Sequence, residues 1–372
     1  MKRFAWIFSS VVCCALQADA PKTKPVCSFD TPTFDRGDKA LENCPSGYNL
    51  PAQVHLDGRD YQGFITASYL FWNPQQDGME VATTAIYNGT VVRTDLEGKL
   101  LSQETPYKSG FKVGLGYNFE YCDQWTLRAD YTRLHQSNTS DFTAPHTSVG
   151  TGVLYSTNWF FQTAGNQNLA STSLASTWHL GLDWLDVSMT RAFYQGKKWT
   201  VTSFGGLRAS WISQSFNISL IDLVNANAPQ ATSDNSSSSW GLGPRAGMEG
   251  RFLLGMGFRL QGSAGGSLLF TQFTDVSHTE TAATLGGKGV TYEADNVNCV
   301  RPMVEGSMGF GWGSYFSRNR YHIDLSMTYD FNYMWKQNMV GMLNEAFLIN
   351  SPSSGIGDLS LQGMTLSCDF YF

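Results

Sequence analysis

Past its first twenty residues the chain has no run of about 18 uninterrupted apolar residues, and its mean hydropathy is -0.22. A membrane-spanning helix needs roughly 20 such residues, so helical spans are excluded. Charge is scarce too: Asp, Glu, Lys and Arg make up 15%, against about 25% in an ordinary soluble domain. The formal net charge of -6 provides no basic footprint for nucleic acid. His55, His135, His146, His179, His278 and His322 show no pairing at metal-ligand spacing, and no Gly-rich phosphate loop leads into a helix. We therefore expect no catalytic residues, no metal and no cofactor, and a protein that is not an enzyme.

What the chain does hold is aromatic side chains, at 14%, and 37 glycines. Scarce charge with abundant Trp, Tyr, Phe and Gly suits a transmembrane β-barrel, whose outer face is apolar, whose interfaces favour aromatics and whose lumen is polar. Lys2 and Arg3, an apolar stretch from Phe4 to Leu16 and Ala18-Asp19-Ala20 form the three parts of a secretory signal over residues 1–20. Cleavage is expected after Ala20, although Pro21 leaves a site one or two residues away open. Loss of Lys2, Arg3 and Asp19 would take the net charge from -6 to -7. Cys13 and Cys14 would leave with the signal, and Cys27, Cys44, Cys122, Cys299 and Cys368 would enter an oxidising compartment. Five is odd, so at least one thiol is free or bonded to another molecule. Residues 21–50 are polar and aperiodic and read as a periplasmic tail or small plug. There Cys27 and Cys44 are candidates for an internal disulfide or for cross-links to neighbouring envelope proteins.

Residues 51–372 are expected to form the barrel. Period-two alternation carries this assignment, because lipid-facing and lumen-facing side chains must alternate along a membrane strand. Tyr321, Ile323, Leu325, Met327, Tyr329, Phe331, Tyr333 and Trp335 share a charge-free face opposite His322, Asp324, Ser326, Thr328, Asp330 and Asn332. Phe111, Val113, Leu115, Tyr117 and Phe119 oppose Lys112, Gly114, Gly116 and Asn118, and the pattern recurs around 125–132, 240–252, 258–270 and 304–312. These outward sets contain no histidine, which an outer-membrane phospholipase would need on its lipid face. At the C-terminus Met364, Leu366, Cys368, Phe370 and Phe372 fall on alternate positions and end on an aromatic residue, a pattern expected to serve as the membrane-insertion signal for the barrel-assembly machinery.

Short connections (Asn73 to Gly78, Glu120 to Gln124, Gln195 to Lys198, Leu254 to Gly257, Gly313 to Arg320) are assigned to periplasmic turns. Long ones, about 88–109, 136–176, 221–239, 274–299 and 336–358, are assigned to extracellular loops. Eleven strands from Gly63 onward, with one over Pro51 to Leu56 added to make the number even, give an all-β antiparallel barrel of about 12 strands, or 14 if 136–176 hides a hairpin. Between Trp178 and Arg191 the apolar set runs Trp178, Leu180, Leu182, Trp184 and then changes phase to Leu185, Val187, Met189, which a β-bulge would explain.

The inward charges are the candidate pore lining: Lys112, Arg128, Asp130, Arg208, Arg245, Glu249, Arg251, Arg259, Glu305, Asp324, Asp330 and Asp369. Arg208, Arg245, Arg251 and Arg259 precede Glu305, Asp324, Asp330 and Asp369 in the strand order. Two readings stay open. Either a basic wall faces an acidic one across a narrow pore, or the charges pair with one another and close the lumen.

With the strands placed, the chain resembles the major-outer-membrane-protein-like family of pore-forming barrels found in Legionella and chlamydia-related bacteria, over roughly Gly63 to Phe372. The resemblance is carried by Tyr69-Leu70-Phe71-Trp72-Asn73-Pro74 with Asp77-Gly78, Gly110-Phe111-Lys112-Val113-Gly114-Leu115-Gly116-Tyr117, Trp184-Leu185-Asp186-Val187 with Arg191 and Phe193-Tyr194, Phe204-Gly205-Gly206-Leu207-Arg208, Trp240-Gly241-Leu242-Gly243-Pro244-Arg245, and Leu359-Ser360-Leu361-Gln362-Gly363. It implies a porin in the outer membrane of a Gram-negative bacterium, passing ions and small hydrophilic solutes, and in some relatives disulfide-linked stiffening of the envelope. Five mature cysteines are fewer than in the cysteine-rich members. The expected partners are the lipid bilayer, the assembly machinery, small solutes, and either a homo-oligomer or disulfide-linked envelope proteins. The alternative is a structural or adhesive surface barrel without an open pore.

Overall fold

Strands dominate the computed structural model, which describes residues 54, 56, 62–87, 92–94, 99–119, 125–144, 152–157, 159–160, 169–196, 198–223, 230–282, 289–345 and 357–372. The signal, the 21–50 segment, Cys27, Cys44 and Cys122 lie outside the described residues. In chain order the strands are β1 Gln62–Gln76, β2 Glu80–Tyr87, β3 Val92–Thr94, β4 Leu100–Ser102, β5 Lys108–Asn118, β6 Trp125–Thr143, β7 Gly152–Thr157 and β8 Leu169–Gln195. They continue with β9 Trp199–Leu223, β10 Gln230–Gly255, β11 Phe258–Ala282, β12 Val290–Ala294, β13 Val297–Phe316, β14 Tyr321–Asn338 and β15 Gly357–Tyr371. A single helical turn, α1 Met342–Glu345, precedes β15.

Antiparallel pairing runs β8-β6-β5-β1-β15-β14-β13-β11-β10-β9 and closes through β8–β9. The ring therefore has ten strands, fewer than the twelve expected. Among the described residues β2, β3, β4 and β7 pair among themselves and join the ring by strand pairing where Tyr155–Thr157 meets Leu169–Ser171. Of the segment added to make the count even, Val54 and Leu56 are described, buried and in no strand. Ten is already even, and β1 joins β15 directly from Phe64↔Tyr371 to Gln76↔Leu359.

The turns between β8 and β9, β10 and β11, and β13 and β14 share one end with the start of β1 and the end of β15. Asn73 to Gly78 lies at the opposite end, where β1 finishes, and so is not a periplasmic turn. At Asp77-Gly78, with Gly78 at φ 78°, the chain folds into β2 instead of returning down the wall.

Among the described residues, the predicted long loops 136–176, 221–239 and 274–299 also prove to be largely strand. β8, β9, β10 and β11 are 27, 25, 26 and 25 residues long, or about 80 Å each along their axes, where a transmembrane strand needs only about 10 residues. The Ser-rich run before Trp240 reads as loop because it is polar. It is polar because it stands above the bilayer in a tower that continues the barrel.

This extension explains the phase change in β8, where no bulge exists: β8 stays in continuous register with β6 from Trp125↔Arg191 to Thr143↔Ser173. Leu185, Val187 and Met189 face outward and are exposed, while Trp178, Leu180, Leu182 and Trp184 face inward and are buried. What switches is the polarity of the two faces. Below this level the outside is apolar and the inside polar, and above it the reverse holds. β9 shows the same crossing between Trp211, outward, and Ile212, Phe216, Ile218 and Leu220, inward and buried. In β15 the outward Met364 and Leu366 give way to inward Leu359 and Leu361. The wall does carry irregularities elsewhere, between Ala192 and Tyr194 and, with Thr274 as the extra residue, between Ser238 and Ser239.

The crossing marks the edge of the lipid. Trp199 and Trp211 both face outward on β9, twelve residues apart. That spacing is about 40 Å along the strand and about 30 Å along the barrel axis at the usual tilt, the thickness of a hydrocarbon core. We predict that Met189→Lys, outward and mid-band, costs about 2–4 kcal/mol in reversible unfolding from lipid bilayers, whereas Ser215→Lys, outward but above the band, costs at most about 1 kcal/mol.

Candidate functional site

Within the lipid band the ring encloses a charged cavity of about 210 Å³. Lys112, Arg128, Arg208, Arg245, Glu249, Arg251, Arg259, Glu305, Asp330 and Asp369, all named from the sequence, line it. Asp130 and Asp324 sit behind the lining, held by Arg128 and Arg259 respectively.

The charges pair instead of forming opposed walls. Arg208, 3% exposed, grips Asp186 with two bonds, Nε to Oδ1 at 2.6 Å and Nη2 to Oδ2 at 2.7 Å. Its Nη2 also reaches Glu305 Oε2 at 2.8 Å, and its guanidinium lies over the Trp184 ring at 4.8 Å. Glu305 takes a second partner in Arg245 Nη2 at 2.5 Å, and Arg245 stacks on Phe204 at 4.6 Å. These four groups from β8, β9, β10 and β13 make one bridge with two charges of each sign. Nearer the turn end are Arg259–Asp324 at 2.6 Å, Arg251–Glu249 at 2.7 Å and Arg128–Asp130 at 2.6 Å. Asp330 accepts from Thr328 and Thr365, and Thr365 accepts from Trp72 Nε1 at 3.1 Å.

A bidentate Arg–carboxylate pair is favoured because removing either ion alone leaves the other desolvated and unpaired. Glycines on the wall make room for these side chains: a Cβ at Gly114 would collide with the Asp130 carboxylate and one at Gly311 with the Arg259 guanidinium. Arg245 Nε and Ser267 Oγ are buried without a hydrogen-bond partner among the described residues, and groups of this kind call for water.

Asp186 was missed in the sequence. It opposes Leu185 and Val187 in the alternation, but the phase change read as a bulge hid which face it occupied. Trp72 and Trp184, whose rings stand 6.3 Å apart, were missed as cavity lining for the same reason, since large apolar residues were assigned to lipid.

Above the cavity the interior is built on an apolar cluster, with buried polar side chains such as Gln103, Gln214, Asn235 and Arg301 beside it. One cluster joins Leu70 and Trp72 of β1, Leu134 of β6, Trp178 to Trp184 of β8, Ile212 to Leu220 of β9, Met303 of β13, Met334 of β14 and Leu361 of β15. Into it are inserted Val81 and Ala82 of β2, Leu101 of β4, Tyr155 of β7, Trp159, Phe160 and Val340. Trp159 packs edge-on against Phe216 at 5.1 Å and donates to the Glu80 carbonyl at 2.7 Å, tying the inserted strands to the wall. Gln103 crosses between Ser140 of β6, at 3.0 Å, and Ser176 of β8, at 2.6 Å. From the far side, Lys336 at φ 54° turns the chain inward, and Asn338 donates to the Asp77 carbonyl at 2.7 Å. The cap thus comes from three connections, β1–β5, β6–β8 and β14–β15.

At the C-terminus Met364, Leu366, Cys368, Phe370 and Phe372 share the outward face. Cys299 and Cys368 are free thiols, Cys299 inside the tower beside Arg301 and Cys368 on the lipid face. Among the described residues no cluster of three His, Cys, Asp or Glu side chains could hold a metal ion.

The solved structures similar to this chain are outer-membrane proteins. The outer membrane protease OmpT of Escherichia coli is 8% identical, covering 87% of this chain and 98% of its own, with a TM-score of 0.35. A major outer membrane protein of Thermus thermophilus is 10% identical over 84% of this chain and 100% of its own, TM-score 0.29. The monoaromatic hydrocarbon channel TodX of Pseudomonas putida, as a deletion mutant, is 11% identical over 87% and 92%, TM-score 0.30. No curated protein matches the sequence. A match to the Legionella pneumophila major outer membrane protein precursor family spans residues 60–372, the whole of the ring. The chain is an outer-membrane β-barrel and belongs to that family.

Proposed function

We propose that this barrel is a passive channel for small polar solutes whose resting state is shut by its inserted cap, and not a wide, permanently open porin. The observation that carries this reading is the composition of the lumen along its axis. A charged, water-demanding cavity inside the lipid band ends against the large apolar cluster of the tower. An ion entering that core unpaired would lose its hydration without compensation. The core is completed by segments outside the ring, β2, β4, β7, Trp159–Phe160 and Val340. It can therefore open without any ring hydrogen bond breaking. A merely structural barrel would have no need of a hydrated set of charges of both signs, and the apolar core alone would stabilise it.

The pairing of β1 with β5, with Trp72 opposite Lys108, makes the test direct: residues 77–103 can be replaced by a tight turn. In planar bilayers the full chain should give rare, brief steps, and the deletion variant steady ones. Trp159→Ser with Phe160→Ser provides a milder version, and heat-modifiable mobility on gels confirms folding. Full-chain barrels that conduct steadily would refute closure at rest. Folded deletion barrels that stay silent would leave a surface barrel without a pore.

In the capless barrel, Arg208→Ala leaves Asp186 and Glu305 sharing only Arg245. The reversal potential should move toward cation selectivity, and unfolding should become easier by about 3–5 kcal/mol, the cost of breaking a buried pair from one side. An unchanged reversal potential would separate this cluster from the conduction path.

A further inference from the structure

At the level where the wall changes polarity, one row of paired residues crosses the outside of the barrel. Arg133 of β6 lies opposite Asp183 of β8, Asp183 opposite Trp211 of β9, Trp211 opposite Trp240 of β10, and Trp240 opposite Gln272 of β11. All five face outward. Trp211 and Trp240 are 47% and 37% exposed, so each indole is partly open to the outside. A groove of about 330 Å³ runs along the row between these rings, Gly181, Asp183, Ser213, Ser238 and Thr274. Three features build it. The bulge at Thr274 lifts the β11 side. Gly181 keeps the β8 side low, where a Cβ would meet Ser213 Oγ at 2.7 Å. Trp240 Nε1 is fixed on Gln272 Oε1 at 3.0 Å, which sets the plane of its ring.

The β6 end of the row carries a held cation. Asp183 accepts from Tyr131 Oη at 2.6 Å and pairs with His135 Nε2 at 2.9 Å. Arg133 Nη2 lies 3.3 Å from His135 Nδ1, so His135 stands between Arg133 and Asp183. With Arg133 Nε 3.9 Å from that carboxylate, the guanidinium stays half-exposed toward the outside, where an anion can reach it. From Arg133 to Trp240 is three strand spacings, about 14 Å.

We propose that this groove binds the phosphorylated sugar headgroup of an outer-leaflet glycolipid, with Trp211 and Trp240 against the sugar rings and Arg133 on a phosphate. The level on the wall identifies the occupant. The row stands at the edge of the apolar band and at the end away from the short turns, which is the outer surface of an outer-membrane barrel, so headgroups are what it meets there. Flat aromatic faces beside hydroxyls suit a sugar, and a guanidinium suits a phosphate, better than either suits an acyl chain. Two exposed tryptophans acting only as interfacial anchors would need neither the groove nor the fixed arginine.

The test uses the full chain, refolded free of glycolipid and titrated in native mass spectrometry with lipid A, dephosphorylated lipid A and phosphatidylglycerol. One lipid A per barrel should bind at least tenfold more tightly than phosphatidylglycerol. Trp211→Ser with Trp240→Ser should remove that preference, and Arg133→Gln should abolish the difference between the phosphorylated and dephosphorylated forms. Ser213→Phe, which fills the groove while keeping both indoles, should act like the double variant and carries the test if that variant does not fold. Equal affinity for lipid A and phosphatidylglycerol, or folded Ser213→Phe barrels that bind lipid A as the parent does, would overturn the proposal.

Discussion

A β-strand presents its side chains to two sides in strict alternation, and in this barrel the medium on each side changes partway along the strand. In the lipid band the outside is hydrocarbon, so Leu185, Val187 and Met189 face out and Asp186 faces in. Above the band the outside is water and the interior is filled by inserted chain, so Trp178, Leu180 and Leu182 face in. The register is continuous through the change, and no break in the backbone is required. Only the assignment of polar and apolar residues to the two faces has to swap, as it does in β8, β9 and β15, whereas β10 keeps Ser233, Asn235, Ser237 and Ser239 on its inward face.

That constraint divides the interior into two chemistries. The lower zone holds guanidinium and carboxylate groups that cannot be left unpaired in so narrow a ring, and Arg208 binds two acids while stacked on Trp184. Such pairs are weak evidence for stability, because desolvation offsets most of the attraction. Their effect is to fix side chains across β8, β9, β10 and β13 and to keep the band's interior polar. The upper zone supplies the apolar burial: at about 25 cal/mol per Å², large side chains such as Trp178 and Phe216 contribute about 2–3 kcal/mol each. The stability of the tower thus depends on the same inserted segments that shut the lumen. A barrel of this kind opens only by giving up part of its core.

Much of this was legible in the sequence where a strand crosses lipid. The outward faces of β14 from Tyr321 to Trp335 and of β15 from Met364 to Phe372, and the inward Arg245, Arg251 and Arg259, follow from alternation against hydrocarbon. The pattern misled wherever the medium was not lipid. Trp178 to Trp184 is apolar for burial against Trp159 and Val81, not for the bilayer, and the true phase of the strand looked like an inserted residue. Ser233, Ser237 and Ser239 are buried strand residues in a run whose composition suggested loop, since composition does not report the backbone a segment adopts. The partners of the charges were out of reach for a different reason: Arg208 and Glu305 lie 97 residues apart, and only closure of the ring through β8–β9 sets them face to face. Ring size was hidden likewise, because nothing in the sequence says that β2 pairs with β3, β4 and β7 and not with a ring strand.

The polarity swap can be measured without reference to transport. Single-cysteine variants with Cys27, Cys44, Cys122, Cys299 and Cys368 replaced, spin-labelled at the outward positions 203, 207, 211, 215 and 219 of β9, can be compared for contact with lipid-soluble oxygen and with an aqueous paramagnetic reagent. We expect oxygen contact to dominate up to 207, the two to balance at 211, and the aqueous reagent to dominate at 215 and 219. Lipid contact persisting through 219 would contradict the account, since the apolar interior of the tower would then have no watery exterior to explain it.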